Sequence, residues 1–80
     1  MLRKYIQAAM NKAHYEILED DGTFLGTIPG FQGVYSNAAT LEACRDELEE
    51  VIEEWIFFRI SRGLSVPDMD GVELAIKEVV

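Results

Sequence analysis

Basic residues are scarce in this chain. Seven Lys and Arg stand against fifteen Asp and Glu, so the net charge at pH 7 is -8 and the isoelectric point is near 4.4. Such a surface repels a polyanion, which argues against nucleic acid as a direct partner, and it attracts a basic protein. Cysteine is nearly absent. Cys44 is alone, so no intrachain disulfide can form, which fits a reducing, cytoplasmic setting. There is one histidine, His14, and no CxxC or HExxH, so the familiar metal sets are missing and no cofactor is expected. No run of about 18 apolar residues occurs, so no membrane-spanning helix is expected. The N-terminus, MLRKYIQAAMNK, lacks the long apolar core of a signal peptide. Ser36, Ser61 and Ser65 have no identifiable base, so no nucleophilic triad and no enzyme activity are expected.

What remains is a chain of 80 residues that is 49% hydrophobic, which reads as one small folded domain over 1–80. A domain of this size has a thin core, and oligomerisation is a common way to thicken it. Leu2, Ile6, Ala9, Met10 and Ala13 recur at helical spacing and predict a short helix ending near Asn11. Tyr15 and Ile17 then alternate with His14 and Glu16, as in a half-buried strand. Asp21-Gly22 predicts a hairpin turn, with Glu19, Asp20 and Asp21 as solvated turn residues. Phe24 and Ile28 flank Gly26 on the returning strand, and that glycine signals a bulge or a close approach. In TIPGFQGVYSN, Pro29 ends the second strand, Gly30 and Gly33 permit a reversal around Phe31, and GVYSN reads as a third strand.

A long helix follows, with Thr40 as N-cap, Glu42 in its first turn, Arg59 and Arg62 near its end and Gly63 as the stop. Leu41, Cys44, Leu48, Ile52 and Trp55 share a stripe predicted to cover the sheet. Cys44 is expected to be an inert buried thiol. Asp46, Glu50, Glu53 and Glu54 form an acidic face on the other side. WIFFRI breaks the pattern, because it is apolar nearly all round and places Phe57 in line with Glu50 and Glu53, with Ile60 beside it. Either the first helix covers Phe57 or another chain does. The tail predicts a last strand, in which Val72, Leu74 and Ile76 alternate with Glu73, Ala75 and Lys77. The fold class is therefore α+β: helix, three-stranded antiparallel meander, long helix packed on the sheet, final short strand.

The succession DDGTF, GTIPGFQGVYSN and TLEACRDELEEVIEEWI resembles the HicB-type antitoxin family, over about Tyr15 to Trp55. Ile28-Pro29-Gly30 matches that family's turn, and Thr40-Leu41-Glu42-Ala43 approximates its helix start. Ala38-Ala39 replaces the residues usual before the helix. The resemblance implies a partial RNase H-like fold and binding of a small basic mRNA-cleaving toxin of the HicA type. Many members also carry a C-terminal DNA-binding domain. With the chain ending at Val80, a stand-alone form without one is expected. Three readings follow: a toxin-neutralising module, a stand-alone homo-oligomer, and an RNase H-like nuclease. The last needs convergent carboxylates that the sequence does not display. The candidate interface residues are Asp46, Glu50, Glu53, Phe57 and Ile60, with Tyr35 on the meander as a second surface.

Overall fold

The computed structural model describes residues 2–67. Its elements are α1 (Leu2–Asn11), β1 (His14–Ile17), β2 (Phe24–Thr27), β3 (Tyr35–Ala38) and α2 (Leu41–Ser61). The strands form an antiparallel sheet in the order β1-β2-β3. The expected α+β order is thus present from α1 through α2. The expected final strand, with Val72, Leu74 and Ile76, lies outside the described residues.

Register is set by the two turns. Across β1 and β2, Tyr15 pairs with Gly26 and Ile17 with Phe24. Across β2 and β3, Gly26 pairs with Ser36 and Phe24 with Ala38. Alternation therefore puts Tyr15, Gly26 and Ser36 in one row on the face beneath α2. The opposite face carries His14, Glu16, Leu25, Thr27, Tyr35 and Asn37.

The segment between β2 and β3 makes two successive tight turns. The Phe31 amide donates to the Ile28 carbonyl at 3.2 Å, and the Val34 amide to the Phe31 carbonyl at 3.3 Å. Gly30 and Gly33, the third residue of each turn, have φ of 86° and 82°. Pro before a positive-φ Gly is the residue pattern of a type II turn. Apart from the two chain neighbours of each glycine, no atom among the described residues lies within 4 Å of a Cβ built there, and the positive φ by itself demands glycine. Each turn delivers one side chain inward, and Ile28, Phe31 and Val34 are all buried. Phe31 meets Trp55 edge-on at 5.0 Å and Tyr5 at 6.4 Å, which joins the double turn to both helices.

Thr40 caps α2 through its hydroxyl, which accepts from the Ala43 amide at 3.1 Å. At the other end the Leu64 amide donates to the Arg59 carbonyl and the Gly63 amide to the Ile60 carbonyl, with Gly63 at φ 68°. This is the Schellman arrangement that ends helices at glycine.

The buried line of α2 is Cys44, Leu48, Ile52 and Ile56, which differs at both ends from the stripe expected from spacing. Leu41 is 47% exposed because it opens the helix ahead of the sheet. Trp55 is only half-buried, against Phe31, and Ile56 takes the deep position. Ile17 is also exposed, at 63%. The reason is placement: α2 lies over β3 and β2, and Ile17 sits on β1 at the margin of that cover. In α1 the buried face is Tyr5, Ile6, Ala8 and Ala9, while Leu2 stays exposed. Tyr5 is sealed, and its hydroxyl donates to the Pro67 carbonyl.

Candidate interaction surfaces

Where α2 rests on the sheet, the contact is built from small groups. Gly26 has no side chain, and a Cβ there would lie 2.9 Å from Ser36 Oγ, 3.1 Å from a Tyr15 ring carbon and 3.2 Å from Cys44 Sγ. The expected close approach at Gly26 is therefore present. Ser36 is buried and donates to the Cys44 carbonyl at 2.7 Å, with Cys44 Sγ 3.2 Å away. Cys44 is free and fully buried, packed where a larger residue would lift the helix. Tyr15 borders this junction. Burial pushes its phenol pKa above 10.0, Arg45 opposes the shift, and Cys44 and Glu49 add to it. Its hydroxyl is buried with no hydrogen-bond partner among the described residues. These groups fix how α2 sits on the sheet. Ser61, further along, has its hydroxyl committed to the Phe58 carbonyl.

With α2 seated, its outward side is defined. Asp46, Glu50, Glu53 and Phe57 stand at intervals of four, three and four residues, so they form one strip. All four are exposed, Phe57 at 74%. Ile60 does not belong to the strip. Three residues beyond Phe57, it is half-buried against the core. Helix α1 packs along α2 but does not cover Phe57. It leaves a hollow of about 510 Å³ lined by Arg3, Gln7, Glu49, Glu53 and their neighbours. Phe58 is exposed beneath the Arg62 guanidinium, 4.9 Å from its ring.

Tyr35 is 62% exposed on the face of the sheet away from α2, so it does not join the acidic strip. Asp21 caps the hairpin: the Thr23 amide and hydroxyl both donate to its carboxylate. Those bonds hold the Asp21 carboxyl below its ordinary pKa. Asn37 extends the set by donating to Thr23 Oγ1 at 2.7 Å and to the Phe24 carbonyl at 2.9 Å.

A cleft of about 590 Å³ lies between the double turn and the end of α2, lined by Gly30, Gln32, Trp55, Arg59, Ser65, Val66 and Pro67. Sequence reasoning misses it, because position alone makes Arg59 a helix-end cation and nothing more. Its Nε donates to the Ser65 carbonyl at 2.6 Å, and its guanidinium lies 4.8 Å from the Trp55 ring centre. Both contacts tie the segment after α2 to the core. Among the described residues there is no group of three or more His, Cys, Asp or Glu placed to hold a metal ion. No helix among them is long and apolar enough to cross a membrane.

A three-stranded meander carrying one long capped helix, with a double glycine turn feeding the core, defines the class. The chain belongs to the UPF0150-like family, whose profile it matches over residues 4–67. Among solved structures it is similar to TTHA0281 from Thermus thermophilus, with 30% sequence identity and a TM-score of 0.87 over 95% of this chain and 94% of that one. No curated protein matches.

Proposed function

We propose that this chain is an antitoxin-like protein-binding module that docks a small basic mRNA-cleaving toxin of the HicA type through the outward strip of α2. One observation carries the reading: three carboxylates and a largely exposed phenylalanine share that strip. An aromatic anchor that becomes buried on binding, ringed by charge, is the usual make-up of an energetic hot spot and its rim. Membership in the UPF0150-like family supports the reading, because the match spans the segments that resemble HicB-type antitoxins. In this role the chain acts in the cytoplasm by covering its partner and needs no catalytic residue, cofactor or nucleic acid. A second reading, a stand-alone homo-oligomer without a toxin, draws on the exposed Phe57 and Phe58.

The test is binding kinetics against the product of the adjacent gene at several ionic strengths. Complementary charge acts mainly on association rate, and exposed charges are screened over about 10 Å at 0.1 M salt. Replacing Glu50 and Glu53 together by Lys should slow association and flatten its salt dependence. An unchanged rate and salt slope would remove the strip from the interface.

A further inference from the structure

In a chain that is 28% charged, residues 22–41 contain no Asp, Glu, Lys, Arg or His. That stretch is β2, the double turn, β3 and the entry to α2. Its outermost part is β3, an edge strand with no neighbour on its far side among the described residues. The hydrogen-bond pattern tells which backbone groups face that side. The Leu18 amide donates to the Thr23 carbonyl and the Gly22 amide to the Leu18 carbonyl, so Leu18 faces Gly22 and Thr23 in the bulged bonded pair that closes the hairpin. Bonded and non-bonded pairs alternate along antiparallel strands. Leu25 and Thr27 therefore bond to β1, and Phe24 and Gly26 bond to Ala38 and Ser36 of β3. Tyr35 and Asn37 are left with their N–H and C=O groups directed off the edge away from β2.

Edge strands are normally guarded by charge, proline or a bulge. β1, the other edge, reads HYEI, with Glu16 on it and Lys12 just before it. β3 reads YSNA and has no such guard. We infer that β3 pairs antiparallel with β3 of a second copy, joining two three-stranded sheets into one of six. A two-fold axis at Ser36 sets Tyr35 against Asn37 of the other copy, twice, and uses the outward N–H and C=O groups of both residues in both copies. Charge selects the occupant. Two copies, each at -8, repel over the acidic strip of α2 and can approach along this uncharged side. A basic partner gains nothing there and is drawn to the strip instead. The pairing also leaves Phe57 free for a different contact.

The test is amide hydrogen exchange on the full chain at several concentrations, with mass measured by light scattering. In the dimer the Tyr35 and Asn37 amides should exchange at least about tenfold more slowly than in dilute protein. The Tyr35→Glu/Asn37→Glu variant sets like charges directly opposite across the axis, and should raise the dimer Kd by about tenfold or more. Its Ser36 and Ala38 amides, bonded to β2, should stay protected and so report an intact sheet. An oligomer whose Tyr35 and Asn37 amides exchange freely would overturn the pairing. So would a monomeric mass at every concentration, or protection that appears only after a basic protein is added.

Discussion

Replacing Gly26 by alanine asks how tightly α2 is held to the sheet. Gly26 does not need a positive φ, so alanine is compatible with its backbone, and removing a strand glycine alone would gain about 0.5–1 kcal/mol. Against that gain, the new methyl would sit 2.9 Å from Ser36 Oγ and 3.2 Å from Cys44 Sγ. Neither neighbour yields freely. Both are buried, and Ser36 Oγ is fixed 2.7 Å from the Cys44 carbonyl. Overpacking of this kind costs about 1–3 kcal/mol, and loss of the serine hydrogen bond adds about 1 kcal/mol. Gly26→Ala should therefore destabilise the protein by about 1–3 kcal/mol. In a domain of this size that is a fall in Tm of about 5–20 °C. Thermal and urea unfolding measure it. The diagnostic step is the double variant Gly26→Ala/Ser36→Ala, in which the serine oxygen no longer meets the methyl. Its loss should be smaller than the sum of the single losses, since groups in contact do not add. A neutral Gly26→Ala, or strict additivity with Ser36→Ala, would refute the close packing of α2 on this row.

Gly30→Ala and Gly33→Ala should each lower Tm in thermal unfolding, because both residues hold φ above 80°, where a β-carbon is strained by about 1 kcal/mol or more. Tyr15→Phe should leave stability at pH 7 unchanged or slightly raised, because the buried hydroxyl it removes has no partner among the described residues. The same variant should resist alkali better in urea unfolding as a function of pH. The folded-state pKa of Tyr15 is raised, so its contribution is intact below pH 10.0 and is lost as pH rises further. Phe57→Ala should change unfolding stability by less than about 0.5 kcal/mol, as expected of a side chain that touches little of its own fold. Under the proposed function, it should still weaken binding of the basic partner in the kinetic assay.

The sequence made α2 and the turns legible because their signals are local. Thr40, Gly63, Asp21-Gly22 and the two glycines around Phe31 each act through backbone geometry within a few residues, and each is found in its expected role. The α1 boundary at Asn11 and the three strands follow from periodicity in the same way. The residues misjudged are those whose burial depends on what lies across the fold. Ile17 has the alternation of a covered strand residue, yet α2 is centred on β3 and β2. Leu41 has the phase of the core stripe, yet it precedes the sheet. Of the candidate interface, Asp46, Glu50, Glu53 and Phe57 were legible as one strip because i, i+4, i+7 spacing on a helix is itself a surface. Tyr35 lies on another face altogether, as only the strand register could reveal.

Charge is separated by element in this molecule, and the separation has a thermodynamic reason. Each carboxylate on α2 repels its neighbours along the helix, by a few tenths of a kcal/mol for like charges one turn apart. A stretch dense in Glu therefore weakens the helix unless packing compensates. Here Leu48, Ile52 and Ile56 are completely buried directly behind the acidic strip, and a capping motif holds each end. The helix can carry the repulsion because its other side is fixed. The sheet has no such reserve: strands of four residues, one face open to solvent, depend on cross-strand pairs that like charges would disrupt. Keeping β2 and β3 free of charge protects the weaker element and leaves its edge open to pairing. Gathering the carboxylates on α2 makes an exposed acidic strip, which the proposed basic partner would favour and a second copy of the chain would avoid. One distribution of charge thus serves fold stability, and in the proposed roles it would keep self-pairing along β3 apart from partner binding on α2.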